Sequence, residues 1–92
     1  MDKRFETIID STIDRFTIVG VEVKGVLVCD KDGLVLASKD VTVSPGPIAR
    51  LAELATGLFG RRTTVCLENN EDQVLINQTD KAVVGVYTKH AT

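Results

Sequence analysis

Ninety-two residues, 43% of them hydrophobic and 26% charged, are enough for one packed core and leave no room for a separate catalytic domain. The 11 basic and 13 acidic side chains are interleaved along the chain and sum to −2, which excludes both the basic stripe of a nucleic-acid binder and the composition of a disordered chain. No run approaches the roughly 18 apolar residues of a membrane span, and the chain starts with neither a secretory leader nor a myristoylation glycine. It reads as cytosolic, one domain over residues 1–92, with no membrane insertion of its own.

The first element is an amphipathic helix from Asp2 to about residue 17. Phe5, Ile8, Ile9, Ile13 and Phe16 recur at helical spacing, with Lys3, Glu6, Asp10 and Asp14 on the other face. The valine-rich stretch from Val23 to Asp30 follows. It puts Val23, Leu27 and Cys29 on one face and Val26 and Val28 on the other, the pattern of a strand covered on both sides. Leu34 to Ser38 is its expected hairpin partner. Ser44-Pro45-Gly46-Pro47 then breaks the chain, with Pro47 suited to the first position of a second helix. On that helix Ile48, Leu51, Ala52, Leu54, Ala55, Leu58 and Phe59 form an apolar stripe wider than one sheet face requires, and Gly60 ends it. Three further strands are expected at Thr63 to Glu68, Gln73 to Thr79 and Ala82 to Lys89. The fold class is therefore α+β, in the order α-β-β-α-β-β-β, with an antiparallel five-stranded sheet and helices on its faces.

Candidate chemistry is sparse. Asp30-Lys31-Asp32-Gly33 starts like a calcium loop, but LVLASK supplies no further oxygen ligands, so the stretch is expected to be a hairpin turn closed by glycine. Cys29 and Cys66 have no CxxC neighbour and are expected to be free, buried thiols. The lone His90 lies at the C-terminus, away in sequence from either thiol. Phosphate-loop motifs are absent, and the Arg61-Arg62 doublet suits the negative end of the preceding helix dipole. Asn69-Asn70-Glu71-Asp72 reads as a solvated turn. These readings assign no catalytic residue, no cofactor and no metal, so the chain is expected not to be an enzyme.

What remains is a surface. Thr63, Thr64, Val65, Cys66 and Leu67 carry no proline or lysine guard against edge pairing, and they follow a helix whose Leu51, Leu54 and Leu58 exceed the needs of a monomer. These eight residues are the expected partner interface.

The stretches GVLVCDKDGLVLAS and VCLENNEDQVLINQTDKAVVGVYTK, separated by a helix, resemble the roadblock/LC7 domains, most closely those of Ragulator subunits. The resemblance runs from about Val19 to the C-terminus. Its most specific pieces are Gly25-Val26-Leu27 with Asp32-Gly33-Leu34, and Val65-Cys66-Leu67-Glu68. It implies a heterodimer with a second roadblock subunit through the third strand and second helix. It further implies a pentamer wrapped by a lipidated subunit on the cytosolic face of late endosomes and lysosomes, where the assembly recruits Rag GTPases in amino-acid signalling to mTOR. Competing expectations are a roadblock subunit of another machine, such as a dynein light chain or a regulator of a small GTPase, a longin or profilin-like module with another strand order, and a small thiol enzyme.

Overall fold

In the computed structural model, which describes residues 3–41 and 45–89, the elements follow the expected order. They are α1 (Lys3–Ile18), β1 (Val23–Cys29), β2 (Val35–Lys39), α2 (Pro45–Phe59), β3 (Val65–Glu68), β4 (Asp72–Gln78) and β5 (Val83–Lys89). All strand neighbours are antiparallel, in the spatial order β2-β1-β5-β4-β3. The central strands β1 and β5 are buried on both faces, which explains their near-continuous valine.

One face packs on α1, where Ile9, Val26, Val28, Ala37, Val84 and Val86 form a core flanked by Phe5, Ile8, Ile13 and Phe16. The other packs on α2, where Leu27, Cys29, Ile76 and Val83 meet Ile48, Ala49 and Ala52. Val23 belongs to the α1 side, not with Leu27 and Cys29 as strict alternation predicts. A shift in the β1–β5 register between Val23 and Gly25 inserts one residue and turns Val23 to the opposite face.

α2 begins at Pro45, two residues before the expected Pro47. Both prolines fall in the first turn, where the missing N–H groups would have had no intrahelical partner. The expected Thr63–Glu68 strand is shortened to Val65–Glu68. Asp2 and His90 lie outside the described residues.

The Asp30–Gly33 stretch is the hairpin turn. Asp30 Oδ1 accepts the N–H groups of Asp32 and Leu34 at 2.9 and 2.8 Å, and Gly33 supplies φ 91°. Its carboxylate is thus occupied in capping the bend. Lys31 ties this turn to β4 by donating to Gln78 Oε1 at 2.6 Å, while Gln78 Nε2 donates to Thr56 Oγ1 and Ala52 O on α2 at 2.7 and 3.3 Å. The turn and α2 are thereby fixed over one end of the sheet.

Candidate interaction surface

Helix α2 crosses the strands in one direction. Gly46 lies against Gly33 at the β1–β2 turn, Ile48 rests on Gly85 of β5, and Ala52 and Thr56 meet Gln78 of β4. The next strand along that path is β3, the sheet margin. The broad stripe accordingly divides: Ile48, Ala52 and Ala55 are buried and Leu51 half-buried. Leu54, Leu58 and Phe59 remain 49%, 81% and 67% exposed. Three large apolar groups on one helix end form a patch of the kind that marks interaction sites, unlike scattered surface leucines.

Beside this helix end lies the open edge of β3. Asn69 N–H donates to Asp72 O at 3.0 Å across the β3–β4 turn, so in the alternating antiparallel ladder Val65 and Leu67 direct their backbone groups toward β4. Cys66 and Glu68 therefore direct theirs outward. The edge is regular, with each residue from Val65 to Glu68 matched singly to one of β4. At the opposite margin, β2 carries a register irregularity opposite Val28 and Cys29 and ends on Lys39. Bulges and lysine discourage pairing, so the two edges differ in kind: β2 is blunted and β3 is available.

Of the eight residues expected at an interface, Leu51, Leu54 and Leu58 stand on α2 and Val65, Cys66 and Leu67 on β3. Thr63 and Thr64 precede β3, with Thr63 Oγ1 donating to Arg61 O at 3.0 Å. Val65 and Leu51 are partly drawn into the core. Phe59, outside the expected set, is also exposed beside Leu58 at the end of the over-wide stripe. Arg62 pairs with Asp80 at 2.8 Å, so the doublet does more than face the helix end.

Both thiols are free, as expected, but only one of them is buried. Cys29 is buried, and that burial, aided by the neighbouring Asp30 charge, pushes its pKa up. Cys66 is exposed, because β3 is a margin whose α1-side face no helix covers; its Sγ accepts from Gln73 Nε2 at 2.9 Å. Among the described residues no three metal-ligating side chains converge, and no helix is long and apolar enough to cross a membrane.

The half of the sheet face left uncovered by α2 holds a groove of about 540 Å³. Val41, Tyr87, Val74 and Leu67 contribute its apolar lining, together with Lys24, Asp40, Glu68 and Asp72. Lys24 Nζ contacts Asp72 Oδ1 at 2.5 Å, and this hydrogen bond and the Asp72 charge raise the lysine pKa. Burial raises the Tyr87 pKa, with a smaller contribution from Cys29. Val41 reaches the groove because residues 39–41 pass directly over Gly25, where no side chain intervenes.

The family model of Ragulator complex protein LAMTOR5 matches residues 1–88. The chain belongs to that family. Its fold is that of the roadblock/LC7 domains. The gliding protein MglB of Thermus thermophilus superposes with a TM-score of 0.71 at 15% identity, covering 95% of this chain and 72% of that one. A roadblock/LC7 domain from Streptomyces avermitilis gives 0.65 at 14% identity, covering 78% and 71%. Myxococcus xanthus MglB gives 0.62 at 20% identity, covering 91% and 77%. Among curated proteins nothing matches the chain. The strand order and helix placement of this Ragulator-family chain thus agree with the fold expected from the sequence.

Proposed function

We propose that this chain is a non-catalytic scaffold subunit of a Ragulator-type complex on the cytosolic face of late endosomes and lysosomes. It pairs with a second roadblock subunit through α2 and β3, is held by a wrapping lipidated subunit, and helps recruit and regulate Rag GTPases in amino-acid signalling to mTOR. The observation that carries this reading is the family match over residues 1–88. The unguarded β3 edge beside exposed Leu54, Leu58 and Phe59 supports the choice of pairing surface.

A second reading, a light chain or small-GTPase regulator subunit of another machine, draws on the superposition with bacterial roadblock domains and MglB. Affinity capture of the tagged chain from cytosol, followed by mass spectrometry, separates the two. Recovery of a second roadblock subunit, a lipidated subunit and Rag GTPases is expected, with loss of all three from Leu54→Asp. Recovery of a dynein assembly or an unrelated small GTPase without Rag proteins would favour the second reading.

A further inference from the structure

Between the end of α2 and the start of β3 the chain reads Arg61-Arg62-Thr63-Thr64-Val65. Two arginines stand three and two residues before the hydroxyl of Thr64, and an apolar residue follows it. That is the charge pattern read by arginine-directed protein kinases, whose substrate cleft carries carboxylates for the guanidinium groups and an apolar hollow for the next side chain. The other basic doublet, Lys3-Arg4, has Glu6 in the matching place and no hydroxyl to modify.

The segment is also presented as such a site requires. Gly60 closes α2, taking φ 72° and donating its N–H to Thr56 O at 2.8 Å, and residues 61–64 continue outside any helix or strand. Arg61, Arg62 and Thr64 are exposed, whereas Thr63 is half-buried and its hydroxyl donates to Arg61 O at 3.0 Å. Of the two adjacent hydroxyls, Thr64 is therefore the one offered to solvent. Arg62 is held by Asp80 at 2.8 Å, but both side chains are more than half exposed, and ion pairs in that setting are weak enough to exchange for the carboxylates of a kinase. Val65 begins the marginal strand, so lifting the segment from Gly60 onward frays one strand end and spares the central sheet.

We propose that Thr64 is a phosphorylation site on the unpaired chain, and that its phosphate is a reversible guard on the β3 edge. Thr64 Oγ1 attacks the γ-phosphorus of Mg-ATP held by the kinase. The bond from that phosphorus to the bridging oxygen breaks, ADP leaves, and the hydroxyl proton passes to the kinase's catalytic aspartate. The product carries about −1.5 to −2 charge at pH 7. Thr64 stands two residues before Cys66, whose backbone groups face outward on the open edge, and charged side chains on an edge discourage strand pairing there. With Glu68 at the far end of β3, a strand laid along the phosphorylated edge meets an anion at both ends. The margin has no proline or lysine guard of its own, and the phosphate supplies one. The guard rests on α2 and β3 being the pairing surface; the phosphorylation does not.

Incubation of the full chain with Mg-ATP and the catalytic subunit of cyclic-AMP-dependent protein kinase, followed by tandem mass spectrometry, tests the site. One phosphate on Thr64 of the native chain is expected. Arg61→Ala and Arg62→Ala should each lower kcat/KM for the reaction about tenfold or more, the cost of losing a charged hydrogen bond, while Lys3→Ala should leave it unchanged. Phosphate found on Thr63 instead, or on Thr64 only after denaturation, would overturn the site. Capture from cytosol containing phosphatase inhibitors tests the guard: the phosphorylated chain should recover a second roadblock subunit at roughly a tenth of the yield of the unmodified chain. Dephosphorylation before capture should restore the yield. Equal recovery by the two forms overturns the guard and leaves Thr64 as the site. An unmodified chain that recovers no roadblock subunit overturns the pairing surface itself, and the guard with it.

Discussion

Adding one methyl group at Gly25 should damage the fold and the groove together. Gly25 is buried on β1, and a Cβ built there would stand 2.3 Å from Val41 Cγ2, 2.8 Å from Asp40 O and 2.9 Å from Lys39 O. The valine could rotate aside; the two carbonyl oxygens belong to the backbone, so relief requires residues 39–41 to lift from the sheet. Asp40 already adopts φ 58°, a left-handed conformation that its side chain tolerates at some cost, so this crossing has little freedom to adjust. Overpacking of this kind typically costs about 1–3 kcal/mol. For a domain of this size that corresponds to a fall in Tm of roughly 5–20 °C. Thermal unfolding by circular dichroism measures it, and Asp40→Gly, which relieves the positive φ without filling space, should leave Tm unchanged or raised. A Gly25→Ala variant with the wild-type midpoint would show that the crossing does not press on β1, and would remove Val41 from its place in the groove.

Other outcomes are expected from the same geometry. Leu54→Asp should fold normally, since the site is half exposed, yet weaken capture of a second roadblock subunit by roughly 100-fold, because a charge desolvated at an interface costs several kcal/mol; Asp10→Lys on the exposed face of α1 should leave capture intact. Alkylation followed by mass measurement should label Cys66 in the native single chain and Cys29 only after denaturation, and equal rates would contradict their different burial. The raised pKa values of Cys29 and Tyr87 mean that the folded state holds their protons more tightly than the unfolded state. Their contribution is complete below the unfolded cysteine pKa of about 8.5 and is lost as pH rises through the folded values. Urea midpoints should therefore fall between about pH 8 and pH 10, less so in Cys29→Ala, and a flat profile would refute the assignment. Calorimetric titration with calcium should give no saturable heat attributable to the Asp30–Gly33 turn, whose leading carboxylate is engaged by two backbone N–H groups.

Periodicity made the element order legible because each element has a buried face. The valines of β1 and β5 announce strands covered on both sides, and the α1 stripe announces a helix lying on a sheet. Errors arose where the period is locally broken. A register shift at Val23/Gly25 reverses one side chain, and nothing in VEVKGV distinguishes it from regular alternation except the glycine. The exposure of Cys66 was hidden for a different reason. An apolar run suggests burial on both faces, but whether a strand is central or marginal depends on long-range pairing, and β3 lies at the margin. Fold recognition used the whole pattern and survived these local errors; assignment of individual surface residues did not have that redundancy.

The two sheet margins differ in a way that would confine the proposed pairing to one of them. The open sheet has two edges, and an indiscriminate sheet would extend from either. Here β2 is irregular and ends on a lysine, while β3 is regular and adjoins the only helix end with three large exposed apolar side chains among the described residues. Edge pairing alone is weakly specific, because any strand supplies backbone partners. In the proposed pairing the neighbouring helix end changes that: a partner would have to pair with β3 and also receive Leu54, Leu58 and Phe59 on the correct face. A one-residue slip of β3 would turn Cys66 and Glu68 onto the helix side in place of Val65 and Leu67, so the apolar contacts enforce the strand register. In the proposed assembly, strand and helix together would select both the partner's fold and its alignment, as a subunit that holds other proteins in a fixed arrangement requires.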